Sequence, residues 1–200
     1  IVDGSDEKDA LDALEDLPNS DSRKEDLVTR LEEVKEGLDL IALVEELVTM
    51  VNNSESKEDV DGARGFHTNE EGGKTISELV AELTNEELKE TLTESLETVM
   101  PILNDTTAPE INIPDGAIVQ SATIIVTDDS EVKIYLQTND EEEKEISNNY
   151  EVLEGVHTVR VIDASFNEYT ITFEVDTTAP EFNYASGTHL GANSEIIVTD

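Results

Sequence analysis

The sequence contains no cysteine and no tryptophan, and it has only four tyrosines and four phenylalanines among 200 residues. The lack of cysteine excludes disulfide bonds, thiolate metal sites and a cysteine nucleophile. The scarcity of aromatics disfavours a sugar-binding surface, which relies on exposed rings for stacking. No positively charged leader and no apolar run of about 18 residues is present, so we expect no membrane insertion within this chain.

Basic residues are also scarce, with 12 Lys and Arg against 49 Asp and Glu and a formal net charge of −37. Such a field repels nucleic acid, so we expect no nucleic-acid partner. The acidic excess favours a solvated, self-repelling surface, and cation binding is the alternative.

Recognisable catalytic motifs are absent from the sequence. His67, His157 and His189 are scattered without a second histidine at metal-ligand spacing. There is no Gly-x-Ser-x-Gly motif and no phosphate-binding loop. The sequence therefore predicts a chain without enzymatic activity.

The apolar spacing is helical up to about residue 104 and alternates with period two beyond it. We predict a short helix over 6–17 and a long helix over 22–51. The long helix has a regular apolar seam, which requires a partner helix to cover it. This seam is formed by Leu27, Leu31, Val34, Leu38, Ile41, Val44, Val48 and Val51.

The stretch 52–74 is polar and rich in glycine, so we predict a mobile loop there. Capping-box spacing begins at Thr75 and at Thr84, which predicts helices over 75–83 and 85–100, the second ending before Pro101. Residues 1–104 are thus expected to form an all-α small bundle of three or four antiparallel helices.

A six-residue peptide, Asp-Thr-Thr-Ala-Pro-Glu, begins at Asp105 and recurs identically at Asp176, 71 residues later. The similarity continues through Asn112 and Asn183, and Ile-Ile-Val-Thr-Asp occurs at both 124–128 and 196–200. Repetition at a fixed period is typical of modular arrays. We therefore predict a complete repeat over 105–175 and the truncated start of a second over 176–200, and we expect the chain to be a fragment.

Short runs rich in Val, Ile, Thr and Tyr predict the strands of the complete repeat, separated by turn-forming residues. These runs cover 110–113, 118–127, 131–137, 144–147, 157–163 and 168–175. Their number and spacing are typical of an all-β sandwich of about seven strands.

The end of the repeat reads Gly-Val-His-Thr-Val-Arg-Val-Ile-Asp-Ala-Ser-Phe-Asn over 155–167, followed by a last strand and Asp-Thr-Thr-Ala-Pro. It resembles the immunoglobulin-like repeats of Gram-positive surface and adhesion proteins. It departs from their pattern at Phe166, where such repeats usually carry glycine.

The resemblance implies an immunoglobulin-like sandwich within a secreted or cell-wall-associated array that acts as a stalk, a spacer or a ligand-binding module. Its partners would be neighbouring repeats of the same chain and a host or cell-surface protein or glycan. The alternative is an accessory region of a secreted carbohydrate-active enzyme or protease.

Six residues at predicted strand ends carry side-chain oxygens that suit a calcium ion, which would stiffen the junctions between sandwiches. Asp and Asn also favour turns because they bond to the local backbone, so plain turns are the alternative. The six candidates are Asp105, Asp128, Asp129, Asp163, Asn167 and Asp176.

Overall fold

The structure, a computed structural model, describes residues 24–68 and 73–199. A helical region comes first and a β-sheet-rich region follows it, which confirms the predicted order. The chain divides into two compact units at the peptide bond between Thr106 and Thr107. None of the described helices is long and apolar enough to cross a membrane. The helix predicted over 6–17 lies outside the described residues.

Five helices make up the described part of the helical unit. They are α1 (Lys24–Asn52), α2 (Lys57–Thr68), α3 (Ile76–Ala81), α4 (Glu86–Glu97) and α5 (Met100–Asn104). All five contribute to one apolar core, whose members come mainly from the second half of α1 and from α3 and α4. The fully buried members are Leu40, Val44, Leu47, Val51, Ala63, Ile76, Val80, Leu92, Leu96, Val99 and Leu103.

The two halves of α1 differ in burial. Its buried residues begin at Gly37, where an added Cβ would lie 3.0 Å from Leu88 Cδ2 of α4. Residues Leu27, Val34 and Leu38 of the predicted seam are instead exposed. In the second half of the predicted seam Val44 and Val51 are buried, whereas Ile41 and Val48 are only partly buried. Leu40 and Leu47, which the predicted seam did not include, are buried instead.

The loop predicted over 52–74 is wrong for most of its length, because α2 occupies Lys57–Thr68. A helix forms there because Val60, Ala63 and His67 recur at helical spacing and are buried on one face. Ser56 supports its start, since its hydroxyl oxygen accepts the Asp59 backbone N–H at 3.3 Å. Residues 69–72 of this stretch lie outside the described residues.

The capping box at Thr75 is confirmed, with reciprocal hydrogen bonds between Thr75 and Glu78. The one predicted at Thr84 is wrong, because Asn85 caps α4 by accepting the Leu88 backbone N–H at 3.1 Å. The helix predicted to residue 100 ends at Glu97. A new short helix, α5, then begins with Pro101 in its first turn, where the missing N–H of proline costs nothing.

Eleven strands are found among the described residues of the sheet unit. They are β1 (Glu110–Ile111), β2 (Ile118–Val119), β3 (Ala122–Ile124), β4 (Val126–Thr127), β5 (Val132–Thr138), β6 (Lys144–Ile146), β7 (Tyr150–Val152), β8 (Gly155–Asp163), β9 (Glu168–Val175), β10 (Glu181–Phe182) and β11 (Val198–Thr199). The strand predicted over 118–127 is thus three short strands, and β7 was not predicted.

Five strands form one sheet in the order β2-β9-β8-β5-β6. Three further two-stranded antiparallel sheets are formed by β1-β4, β3-β7 and β10-β11. Alternate residues of β8 and β9 are buried, as expected for strands with one face on a core. One apolar cluster joins β1–β9. Its buried members are Ile113, Ala122, Ile124, Val126, Ile134, Leu136, Val152, Val159, Val161, Ile171, Phe173 and Val175.

β2 and β9 are the only parallel neighbours among the described strands. Backbone hydrogen bonds flank their pairing, from Gly116 N to Thr172 O (2.7 Å), from Glu174 N to Ala117 O (2.9 Å) and from Asp176 N to Val119 O (2.9 Å). Gly116 enters β2 with φ +75°, a left-handed backbone that favours glycine. The beginning of the stretch 110–175 is thereby joined to its last strand, β9.

Candidate functional site

The most ordered of the predicted oxygen ligands lie in the turn between β8 and β9. One carboxylate oxygen of Asp163, Oδ1, accepts the backbone N–H groups of Ser165 and Asn167, each at 2.8 Å. The other, Oδ2, accepts the side-chain amide of Asn167 at 2.8 Å. All three residues are buried. The charge of Asp163 is therefore compensated inside the turn by three N–H donors.

Phe166 occupies this turn with φ +59°, in the left-handed region that bulky residues rarely adopt. Its backbone N–H donates to Asp163 O at 3.3 Å, and Asp163 N donates to Asn167 O at 3.1 Å. The position where the resembling repeats carry glycine thus keeps the glycine-type backbone despite its phenylalanine. The hydrogen bonds of Asp163 hold the turn in this conformation.

Asp128 lies beside this turn at the start of the β4–β5 connection. Its carboxylate and that of Asp163 bring oxygens within 4.8 Å of one another. The register explains the approach, because Val132 of β5 pairs with Asp163 at the end of β8. Asp128 Oδ1 accepts the backbone N–H and the hydroxyl of Ser130, at 2.8 and 2.7 Å. Asp129 is exposed beside it.

The lone pairs left on these oxygens decide what the pair can do chemically. A carboxylate oxygen has two acceptor directions, so Asp163 Oδ1 is saturated and Oδ2 keeps one. Asp128 keeps its second oxygen. Calcium takes six to eight oxygen ligands, several of which are often backbone carbonyls and water. Asp128 and Asp163 could supply two, and the turn hydrogen bonds stand without any ion.

The predicted acid Asp176 occupies a different place from Asp128 and Asp163. Asp176 follows β9, and because β8 and β9 are antiparallel it lies at the opposite end of the sheet from Asp163. Its Oδ1 accepts the Thr178 N–H at 2.8 Å. Asp105 belongs to the helical unit, where it is the C-cap of α5 and its carbonyl accepts from Arg64 at 3.2 Å. Because Asp176 lies apart, the six predicted ligands do not all gather at one point.

Asn112 forms a side-chain clasp whose role the sequence did not reveal. Its amide donates to Thr123 O at 2.9 Å, and its Oδ1 accepts the Ile125 N–H at 2.8 Å. The clasp extends the β1-β4 pairing by one step, because Asn112 N also donates to Ile125 O at 3.0 Å. We call this set of three bonds the asparagine clasp.

The asparagine clasp occurs a second time, at Asn183. The side chain of Asn183 donates to Glu195 O at 2.9 Å and accepts the Ile197 N–H at 3.0 Å. Its backbone N–H donates to Ile197 O at 3.1 Å. β10 and β11 pair in the register of β1 and β4, and Gly187 repeats the positive φ of Gly116. Both copies of the repeated sequence thus carry the same local hydrogen bonds.

A third asparagine, Asn148, binds the backbone of Val126 in β4. It accepts the Val126 N–H at 2.9 Å and donates to Val126 O at 2.8 Å. In sequence it reads as an ordinary turn residue, and only the strand arrangement shows that it takes the place of a strand partner. It precedes β7, the strand that the sequence did not predict.

The three histidines lie apart and have structural surroundings. His157 is buried, with Nε2 donating to Leu153 O at 2.7 Å and Nδ1 hydrogen-bonded to the Thr138 hydroxyl at 3.1 Å. A carbonyl can only accept, so Nε2 of His157 carries the hydrogen of that bond. His67 lies on α2 against the Ser77 hydroxyl at 2.9 Å, and burial lowers its pKa. His189 is exposed.

Comparison with protein-family models, with curated proteins and with solved structures finds no match to this chain.

Proposed function

We propose that the chain is a non-catalytic stalk or adhesion module of a secreted or cell-wall-associated bacterial surface protein. The observation that supports this proposal is the asparagine clasp, which recurs with the same bonds where the sequence repeats. Identical local structure at a fixed period favours a serial array, in which each unit contacts its neighbours along the chain. The proposed partners are the neighbouring repeats and a host or cell-surface protein or glycan.

We infer an immunoglobulin-like sandwich for each repeat. The inference is supported by the apolar cluster, to which the five-stranded sheet contributes Phe173 and the short pairs contribute Ile124, Val126 and Val152. Residues buried on both sets of strands and packed on one another are what two facing layers require. The Asp163–Asn167 turn would then be a hairpin between two strands of one layer.

The junction between repeats has the properties of a stiff connector. Each copy begins with Ala-Pro, at Ala108-Pro109 and Ala179-Pro180, and proline fixes φ while holding the preceding residue extended. The net charge of −37 adds repulsion between units. Short extended junctions and mutual repulsion favour a rod that holds its far end away from the cell.

The test is to insert one, two and three extra copies of residues 105–175 between Val175 and Asp176 of the full chain. Every junction stays native, because the inserted copy begins with the same six residues that follow Val175. Small-angle X-ray scattering should show the maximum dimension growing by a constant step. A unit of this length has a radius of gyration of about 11 Å, so the step should be about 30 Å.

The matched control replaces Ala-Pro by Gly-Gly at each inserted junction, which frees the backbone and should shorten the step. Growth with only the cube root of chain mass would mean that the units collapse on one another, and the stalk proposal would then be wrong. Equal steps in the native and Gly-Gly series would contradict the role given to the proline.

A further inference from the structure

A groove lies between α1 and the segment that joins α3 to α4. On the α1 side it is lined by Val34, Leu38 and Ile41, and on the other side by Leu83 and Leu88. Val34 is 52% exposed and Leu38 is 37% exposed, so the described residues leave much of this apolar lining open to solvent. The volume of the groove, about 440 Å³, falls in the range of ligand sites in proteins. The groove is thus large enough to receive apolar side chains of a partner.

Three carboxylates line the same groove. Glu33 and Glu36 belong to α1, and Glu82 is the C-cap of α3. None of the described residues that line the groove is basic. Lys74 pairs with Glu82 at 2.6 Å, whereas Glu33 and Glu36 have no ion-pair partner among the described residues. We call this site, with its apolar lining and its three carboxylates, the acidic groove.

The charge of the acidic groove restricts its occupant. A second copy of the chain would bring mostly acidic residues to it, since the chain has 49 acidic and 12 basic residues. Like charges that meet in an interface destabilise that interface. Arg30 and Lys35, the basic residues of α1 nearest to the groove in sequence, are not part of its lining. The acidic groove therefore favours a cationic partner.

The spacing of the apolar residues indicates the form of the partner. Val34, Leu38 and Ile41 recur at steps of four and three along α1, over about 10 Å or two helical turns. A helix laid beside them places its own apolar side chains in the groove at the same steps. Basic side chains on the flanks of that helix can then reach Glu33 and Glu36.

We propose that the acidic groove binds a basic amphipathic helix of another protein. The apolar side chains of that helix pack between Val34 and Leu88, and its lysine or arginine side chains pair with Glu33 and Glu36. The net charge of −37 speeds the encounter, because it attracts a cation from a distance. The helical unit has this role whether or not the repeats form a stalk.

The probe for the test is a fluorescently labelled peptide of about 14 residues, built from leucine, alanine and lysine with the leucines at helical spacing. The control peptide has the same residues in scrambled order and hence the same charge. Binding to the full chain is measured by fluorescence anisotropy at physiological ionic strength, where attraction between distant charges is screened. The amphipathic peptide should bind at least about tenfold more tightly, because only it can bury its leucines on one face. Equal affinities would overturn the proposal, since net charge alone would explain them.

Two double variants with the same change in charge test the location of binding on α1. Glu33→Gln with Glu36→Gln removes two carboxylates of the acidic groove. The matched control, Glu32→Gln with Asp39→Asn, removes two exposed carboxylates of the same helix that do not line the groove. The first variant should weaken binding of the amphipathic peptide about fivefold, and the control less than about 1.5-fold. Equal losses in the two variants would overturn the proposal.

A third arm tests the apolar lining. Val34→Lys places a cation in the groove, and Ala42→Lys adds the same charge at an exposed position of α1 outside it. Val34→Lys should weaken binding about tenfold or more, whereas Ala42→Lys should have little effect. Helical circular dichroism must be the same in both variants, and Val34 is exposed enough for its replacement to leave the fold intact. Dimers of the unmodified chain that the peptide dissociates would assign the groove to a second copy and would also overturn the proposal.

Discussion

Two stretches of the sheet unit, 110–127 and 181–199, share a sequence pattern and an asparagine clasp but differ in the burial of their apolar residues. Ile124 is fully buried, whereas Ile196, its counterpart, is 61% exposed. Val126 is 4% exposed, and its counterpart Val198 is 53% exposed. The first stretch packs against β5, β7, β8 and β9 through the apolar cluster, and every residue of the second is exposed.

The difference in burial separates local hydrogen bonding, which both stretches have, from packing in an apolar core, which only the first stretch has. The asparagine clasp needs only residues within 15 positions of each other, so local sequence specifies it in both stretches. Burial of the apolar face requires strands that come later in the chain, and these follow only the first stretch among the described residues. Local hydrogen bonds thus set the register, while most of the stability is expected from the later strands.

The largest expected effect comes from truncating the buried member of a matched pair. Ile124→Ala should lower the free energy of unfolding of the sheet unit by about 2–5 kcal/mol, because it leaves a cavity in the core. Ile196→Ala should change it by less than about 0.5 kcal/mol. Urea unfolding followed by tyrosine fluorescence measures this, since all four tyrosines lie in the sheet unit. Equal losses would show that the second stretch has a core of its own.

Removing the clasp tests the local level of the same comparison. Asn112→Ala deletes two side-chain hydrogen bonds to the backbone and should cost about 1–2 kcal/mol of unfolding free energy. Asn183→Ala should cost less than about 0.5 kcal/mol, because its clasp is not coupled to a core. Amide hydrogen exchange should show strong protection at Ile125 and weak protection at Ile197. Comparable protection at the two amides would argue against the conclusion that only the first clasp is stabilised by a core.

Calcium should stabilise the sheet unit only through the pair Asp128 and Asp163, which joins the β4–β5 connection to the β8–β9 turn. With a dissociation constant of 10⁻⁴ to 10⁻³ M, typical of extracellular modules, 1 mM calcium would stabilise the sheet unit by about 0.4–1.4 kcal/mol. Asp128→Asn keeps an oxygen to accept from Ser130 but removes the charge, so it should abolish the response while preserving the calcium-free melt. A magnesium control of equal concentration distinguishes specific binding from charge screening. If no calcium-specific shift is observed, Asp163 and Asn167 serve as turn residues alone.

Mild acid should destabilise the helical unit through His67. The unfolding of the two units can then be measured separately. Burial holds the pKa of His67 below its ordinary value in the folded chain. As pH falls below about 6.5 the unfolded chain therefore binds the proton first, and stability decreases. Hydrogen bonds from Ser56 and from the Thr75 backbone lower the pKa of Asp59 and Glu78, respectively, and those groups matter only at more acidic pH.

The measurement is the urea midpoint of the helical signal at 222 nm, at pH 7.5 and at pH 5.5. The midpoint should be lower at pH 5.5 for the unmodified chain, and His67→Gln should reduce the difference. This is the smallest of the four expected effects, because one partly solvated imidazole is involved. A pH response that survives the substitution would have to arise from another group.

Sequence reasoning predicted the helical region well where apolar residues are frequent. The helix α1 and the capping box at Thr75 are visible without a structure, because both are periodic or short-range patterns. The exact buried stripe of α1 is not, since Leu40 and Leu47 lie outside the predicted seam. α2 was missed because only Val60, Ala63 and His67 are buried and two glycines interrupt it. Such a helix depends on packing against its neighbours, which sequence periodicity does not report.

The acidic residues illustrate the same limit at the candidate site. Asp163 and Asn167 are close in sequence, so their turn could be predicted from local chemistry. The approach of Asp128 to Asp163 depends on the pairing of β5 with β8, and the separation of Asp176 depends on the antiparallel direction of β9. Strand order is a property of the whole unit, and the repeated peptide alone does not reveal it.

The parallel pairing of β2 with β9 has a mechanical consequence. β2 lies near the beginning of the stretch 110–175 and β9 at its end, so tension applied at the two ends of this stretch pulls the two strands along their common axis in opposite directions. The hydrogen bonds that flank this pairing are then loaded in shear and share the force, whereas an antiparallel hairpin pulled at its open end breaks one bond at a time. A unit joined in this way resists extension until the shared bonds fail together, and it then lengthens in a single step.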